Sequence, residues 1–138
     1  MLSAVETRLA SVSALKKIAG AADFASAGLD LKGRLPAAYV IPLAERAGEN
    51  SLVSAVSQRA EARFGVVLAI SNLRDARGQN AQGDLAPLRA AVMAVLLGWQ
   101  PGPDCDPVLF GSGRLLQLQD GVLWWQDEFV TAYYLRSV

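Results

Sequence analysis

An α+β fold with a mostly antiparallel sheet is what the sequence predicts, and three observations carry the prediction. Residues 113–136 read as two strands joined by Asp120-Gly121, a pair that tolerates the positive φ angles of a tight hairpin turn. Residues 53–72 form a second long extended stretch. Two further segments, 2–15 and 84–99, carry apolar residues at three- and four-residue steps, the period of a helix buried along one side. Strands that follow one another, instead of alternating with helices, point to α+β with the two main helices packed on the sheet.

The elements follow in chain order. Leu2, Val5, Leu9, Val12 and Leu15 form the first apolar stripe, and Ser3 with Glu6 three residues on reads as a capping box. Lys16–Gly20 is a short first strand, followed by a helical turn or two over Ala21–Gly28 closed by that glycine. Pro36–Leu43 is the next strand. Pro42 lacks the N–H that a central strand needs, which predicts an edge position or a bulge. Ala44–Ser51 is polar, contains Gly48 and Asn50, and reads as a loop. In the long strand, Gln58, Ala60, Ala62, Phe64, Val66, Leu68 and Ile70 share one parity, while Arg59, Glu61 and Arg63 hold the other before Val67 and Ala69. Its first half is thus wet on one face and its second half is buried on both. Residues 73–83 are rich in charge, amide and glycine and read as a loop. Asp84 then caps a helix with Pro87 in its first turn, a stripe of Leu85, Leu88, Val92, Val95, Leu96 and Trp99, and Gly98 and Pro101 ending it. Val108–Phe110 leads into the hairpin. On its long second arm Leu123, Trp125, Phe129, Tyr133 and Leu135 fall on one parity and Val122, Trp124, Val130 and Tyr134 on the other, so both faces need cover. The protein's own helices supply one cover, and a neighbouring subunit is the expected other.

Size and charge bound what such a fold does. At 138 residues the chain supports one domain over 1–138 with a real core. Thirteen basic residues balance thirteen acidic ones, so no net charge draws the protein to nucleic acid or a lipid surface. The first residues lack the basic and apolar regions of a signal peptide, and the longest apolar run, Ala90–Trp99, is too short for the ~20 residues a bilayer requires. The expectation is a soluble protein made inside the cell. Its single cysteine, Cys105, has no partner for an intrachain disulfide and no histidine to activate it.

The chain contains no histidine, which removes the imidazole base, the usual zinc ligand and the serine or cysteine triad. No cofactor is expected. Gly111-Ser-Gly113 lacks the Gly-Lys-Ser/Thr of a phosphate loop and leads into a strand. Asp127-Glu128 resembles a glycosidase carboxylate pair only in composition, because adjacent strand residues point to opposite faces; pairing with arginines across a strand or a subunit boundary is the expectation. A carboxylate hydrolase would need Asp127 or Glu128 to meet Asp75 in a cleft. Trp124-Trp125 could stack on bases, yet such platforms sit in basic grooves and this hairpin offers only Arg114 and Arg136. Core and interface packing is the favoured role. The segment Arg74-Asp75-Ala76-Arg77-Gly78 is the best candidate contact surface, being polar and set between a buried strand and a capped helix.

Residues 63–78, Leu96–Pro101 and 113–129 together resemble the tail terminator proteins of tailed bacteriophages and prophages. The likeness rests on the order of elements and several phrases along nearly the whole chain. It implies a structural, non-enzymatic virion subunit of the tail, assembled in the host cytoplasm, that forms a homo-hexameric ring on the last ring of tail tube protein. That ring would halt tube polymerisation, present a surface to head-completion or neck proteins, bind no specific nucleic acid sequence and involve no membrane. A head-tail connector or other minor tail component is the competing assignment.

A ring of identical subunits joins one patch to a different patch on the next copy. The half-wet strand and the two-faced hairpin provide such a pair, with Arg59, Glu61, Arg63, Trp124 and Tyr134 as the expected subunit interface. Arg74, Asp75, Arg77, Gln79 and Asn80 are the expected contact with a partner ring, and Arg46–Ser51 is expected on the opposite ring face.

Overall fold

The computed structural model describes residues 1–26, 34–71 and 79–137, and leaves the side chains of 79–83 out of the description. Eight elements run in the order α1 (Leu2–Leu9), β1 (Lys17–Ala19), α2 (Ala21–Ala25), β2 (Ala37–Ala47), β3 (Ser57–Ser71), α3 (Gln79–Leu96), β4 (Leu109–Gln119) and β5 (Val122–Arg136). The strands form one sheet in the order β1-β2-β3-β5-β4. Only β1 and β2 are parallel; the other three pairings are antiparallel, as expected for an α+β chain built on hairpins.

The centre of the sheet is the pairing of β3 with β5, which runs without a register shift from Ser57 opposite Arg136 to Ser71 opposite Val122. In an antiparallel pair, directly opposed residues share a face, so this register sorts the side chains of both strands. Phe64, Val66, Leu68 and Ile70 join Leu123 and Phe129 beneath α1 and α3, together with Val5, Leu9, Leu85, Leu88, Val92 and Leu96. The rings of Phe64 and Phe129 stack at 5.6 Å. The two helices are tied to each other by Arg8, whose Nε donates to the carbonyl of Val95 at 2.8 Å while its guanidinium lies over the Trp99 ring. The expected stripe on α3 is thus the stripe that is buried.

A second, smaller core lies on the opposite face. Tyr39, Val67, Ala69 and Trp124 pack beneath Phe24 of α2, with Leu35, Ile41, Leu116 and Val122 around them. Phe24, Tyr39 and Trp124 form a triangle of ring contacts at 5.7, 5.9 and 6.1 Å. The hairpin turn is as expected: Asp120 and Gly121 both have positive φ, 55° and 75°. Gly98, at φ 78°, follows the end of α3 where a left-handed residue closes a helix.

Several boundaries differ from the sequence reading. α1 starts at Leu2 with Met1 as its cap and no side-chain cap hydrogen bond, so Ser3 lies inside the helix and forms no capping box. α3 starts at Gln79, five residues before Asp84, and Pro87 sits inside it. Gly83, Asp84 and Pro87 are all poor helix formers and together look like a start signal, but a helix tolerates a proline at the cost of one backbone donor. Gln79 and Asn80 therefore belong to a helix and not to a loop. β2 runs on to Ala47, so the expected loop from Ala44 is strand in its first part, and β3 begins at Ser57, not at Val53. Ala44–Ala47 looks like a loop because it is polar, and it is polar where no helix among the described residues covers it. Pro42 behaves as expected: the ladder to β3 shifts between Pro42 and Ala44, and β1 pairs with β2 only through Ala37–Tyr39. The closing glycine expected at Gly28 lies outside the described residues.

Two stability outcomes follow from the smaller core. The Tyr39 hydroxyl is buried without a hydrogen-bond partner among the described residues, and burial, then the nearby Asp23 carboxylate, raises its pKa. Tyr39→Phe removes that unpaired group and is expected to raise thermal stability by about 1 kcal/mol. Trp124→Ala is expected to lower it by about 3–5 kcal/mol even in dilute subunit. Thermal unfolding of both variants checks these signs.

Candidate subunit interface

α2 covers only one half of its face of the sheet. Beyond Val67 the same face continues through Arg63, Glu61 and Arg59 on β3 and through Glu128, Val130, Ala132 and Tyr134 on β5, with no helix over it among the described residues. Opposite Arg63 and Glu61 on the other side stand Ala44 and Arg46 of β2. Four of the five residues expected at a subunit interface, Arg59, Glu61, Arg63 and Tyr134, are brought together here by strand register alone.

Charge on this face is organised as a ladder. Arg63 pairs with Glu61 at 3.0 Å along its own strand and with Glu128 at 3.5 Å across to β5. Ser112 on β4 donates to the Glu128 carboxylate at 3.2 Å, which carries the chain of contacts to the far edge. Arg59 reaches over β5 to Asp106 at 2.7 Å; this hydrogen bond is the main reason its pKa is raised, so the guanidinium stays charged. Arg136 covers the ring of Tyr134 at 5.0 Å. Every member of the ladder is at least partly in water, so these pairs add little to subunit stability. They leave a polar and pre-arranged surface. Gly111 packs closely at the β4 side: a Cβ there would lie 3.3 Å from the Glu128 carbonyl oxygen, tighter than most side-chain contacts, and 3.5 Å from the Arg63 guanidinium.

Trp124 is placed differently from the expectation. It lies on the same face but is only 5% exposed, packed under Phe24 and beside Tyr39. The cover that the sequence reading assigned to a neighbouring subunit comes, for this indole, from α2 of the same chain. The signal for α2 was weak because the helix has only five residues and no buried residue of its own. Arg74, Asp75 and Arg77 lie outside the described residues, and Gln79 and Asn80 open α3 with side chains outside the description.

Asp127 and Glu128 point to opposite faces, and each meets an arginine of its own chain. Glu128 joins the ladder. Asp127 is fully buried beneath α3, where Arg89 donates to it through Nη2 at 2.8 Å and Nε at 3.1 and 3.2 Å, and Trp125 Nε1 donates at 2.9 Å. The Arg89 guanidinium also lies 4.7 Å from the centre of the Trp125 ring. A Cβ on Gly113 of β4 would fall 2.7 Å from Asp127 Oδ1, so this packing requires a glycine at the crossing strand. Sequence reasoning missed Arg89, although an arginine within the apolar stripe of Leu85, Leu88 and Val92 is the available signal for a buried acidic partner. With the two carboxylates on opposite faces, the arrangement does not form the facing acid/base pair that glycoside hydrolysis uses. Among the described residues no group of three His, Cys, Asp or Glu side chains could hold a metal ion, and no helix is long and apolar enough to cross a membrane. Cys105 is a free, partly buried thiol.

Comparison with known proteins agrees with the resemblance read from the sequence. The profile of a family described as phage tail terminator protein matches residues 2–137. Among curated proteins no sequence matches the chain. Among solved structures, a chain from the virion of a native gene transfer agent (GTA) particle superposes with a TM-score of 0.55 at 17% identity, covering 98% of this chain and 95% of that one. At that identity the likeness is one of fold.

Two substitutions separate the buried pair from the ladder. Arg89→Ala strands the Asp127 carboxylate and is expected to cost about 3 kcal/mol, the low end for a broken buried pair because Arg89 is itself 30% exposed. Arg63→Gln, on the bare face, removes only hydrated ion pairs and is expected to leave the unfolding midpoint of dilute subunit almost unchanged. Equal losses in chemical denaturation would contradict this division between fold and surface.

Proposed function

The chain belongs to the phage tail terminator protein family, a structural and not an enzymatic family, and from that membership we propose that it caps the tail tube as a homo-hexameric ring. As a virion tail component it stops tube polymerisation at the last ring of tube protein and offers its other surface to the head-completion proteins. The observation that carries this reading within the molecule is the bare half of the sheet. A face that is charged in both signs and ordered by an ion-pair ladder suits contact with another protein surface that must form and close in one geometry.

In this reading Arg59, Glu61, Arg63 and Tyr134 lie between neighbouring copies. Trp124 acts one step removed, by holding α2 against the sheet and so fixing where the bare face begins. Arg74, Asp75 and Arg77, with Gln79 and Asn80 at the start of α3, are assigned to the partner ring on the strength of their sequence. The two faces of the ring must differ, since one accepts the tube and the other must not accept more of it. The loop from Gly48 to Val56 is suited to one of those faces. It is held by Asn50, which donates to the carbonyls of Leu52 and Ala55 and accepts from the amides of Leu52 and Ser57.

Complementation of a virus lacking this protein tests the assignment. Arg74→Glu with Arg77→Glu is expected to leave the isolated subunit folded and to produce overlong or headless tails. Small losses per contact are multiplied around a symmetric ring, so the defect should be severe. Normal tail lengths with normal yields of infectious particles would remove these residues from the partner contact. Short, capped tails that fail only at head joining would instead favour a connector-like role.

A further inference from the structure

The sheet ends in two unpaired edges of complementary character. At one side stands β4, whose only partner among the described residues is β5. Its eleven residues include no proline and no lysine, and Arg114 is their only charge, so it lacks the features that natural proteins use to blunt an edge. Instead it exposes Leu109 (63%), Phe110 (42%), Leu115 (50%) and Leu118 (39%). At the other side β1 covers β2 only as far as Tyr39, which leaves the edge from Ile41 to Ala47 open among the described residues. There, beside the bulge at Pro42, lies a notch whose floor of Met1, Leu2, Pro42, Leu43 and Ala62 is apolar and whose rim carries Glu45 and Arg63.

We infer that the β4 edge of one copy pairs with the open β2 edge of the next, continuing the sheet across the subunit boundary and seating an apolar side chain of β4 in the notch beside Pro42. The inference rests on the ring proposed above and specifies its lateral contact. A second copy is the occupant because both halves of the contact are carried by every chain, at opposite sides of one sheet. Joining them head to tail satisfies both at once, and rotational closure leaves neither of these two edges open. Pairing of β4 with β4 would stop at a dimer and leave the β2 edge and its notch unused. The junction also brings the neighbour onto the bare face: with strands about 4.8 Å apart, its Ser112 and Arg114 come to lie beside Ala44 and Arg46, one strand from Arg63 and Glu61, whose long side chains reach across that distance to the adjacent copy.

Hydrogen exchange read by mass spectrometry, on free subunit and on rings assembled alone or on tail tube ends, tests the pairing. Amides in 41–47 and in 109–119 should both slow by at least about tenfold on assembly. Rings whose two edges exchange as in the free subunit would overturn the pairing while leaving the ring in place. Slowing of only one edge would assign it to the tube protein instead of a second copy. Absence of any assembly, with or without tube protein, would overturn the pairing and the proposed function together. A mixing experiment adds a test of polarity. Leu109→Lys with Leu115→Lys blocks one edge and Leu43→Lys with Ala44→Lys blocks the other, all at exposed positions. Each variant alone should stay monomeric, and an equimolar mixture should give dimers and nothing larger. Dimers formed by the Leu43/Ala44 variant alone would show β4 pairing with itself and contradict the inference.

Discussion

The unbroken antiparallel register of β3 and β5 is the constraint on which the rest of the molecule depends. Because side chains alternate with a period of two, one choice of register decides which residues meet the helices and which remain in water. With Phe64 opposite Phe129 and Val66 opposite Asp127, the apolar series of β3 meets α1 and α3. The same choice sends Arg59, Glu61 and Arg63 to the other side beside Tyr134 and Ala132. A slip of β3 by one residue would drive three charged side chains under the helices and turn Phe64 out to the other face. Function and fold are therefore not separate layers here: the surface proposed for assembly is the reverse side of the core.

The buried pair of Asp127 and Arg89 reads most naturally as a device that holds this arrangement in one state. Burial of a carboxylate is costly, and its return depends on full pairing, which Arg89 and the Trp125 indole supply together. The pair joins α3 to β5 at the point where β4 crosses, and Gly113 is the only residue type that lets β4 come so close. By contrast, the ion pairs on the bare face stay hydrated and contribute little to folding. The chain thus keeps its expensive electrostatics inside, where they fix geometry, and its inexpensive electrostatics outside, where a neighbour can reuse them.

Much of this was legible in the sequence, and the exceptions have physical causes. The Asp120-Gly121 turn, the half-wet β3 and the stripe from Leu85 to Trp99 were readable because each is local: turn chemistry, period two and period 3.6. The strand character of Ala44–Ala47 was hidden because an uncovered strand loses the apolar alternation that identifies it. α3 began earlier than Asp84 because burial further along outweighs the poor helix formers near its start. The contribution of α2 was understated because five residues give no usable period, so the indole of Trp124 was assigned to a neighbour although Phe24 covers it. Arg59, Glu61, Arg63 and Tyr134 were placed together because parity alone is enough to group them. What the sequence could not show was which arginines serve the two carboxylates: Arg89 of α3 for Asp127 and Arg63 of β3 for Glu128.

The central claim is that the bare half of the sheet exists for contact between copies at the end of a tail tube. Electron cryomicroscopy of tails bearing this protein tests it most directly. The account predicts a hexameric ring on the terminal tube ring in which Arg59, Glu61 and Arg63 lie against atoms of the adjacent copy. A ring held together through the outer faces of α1 and α3, with those three side chains left in open solvent, would contradict it.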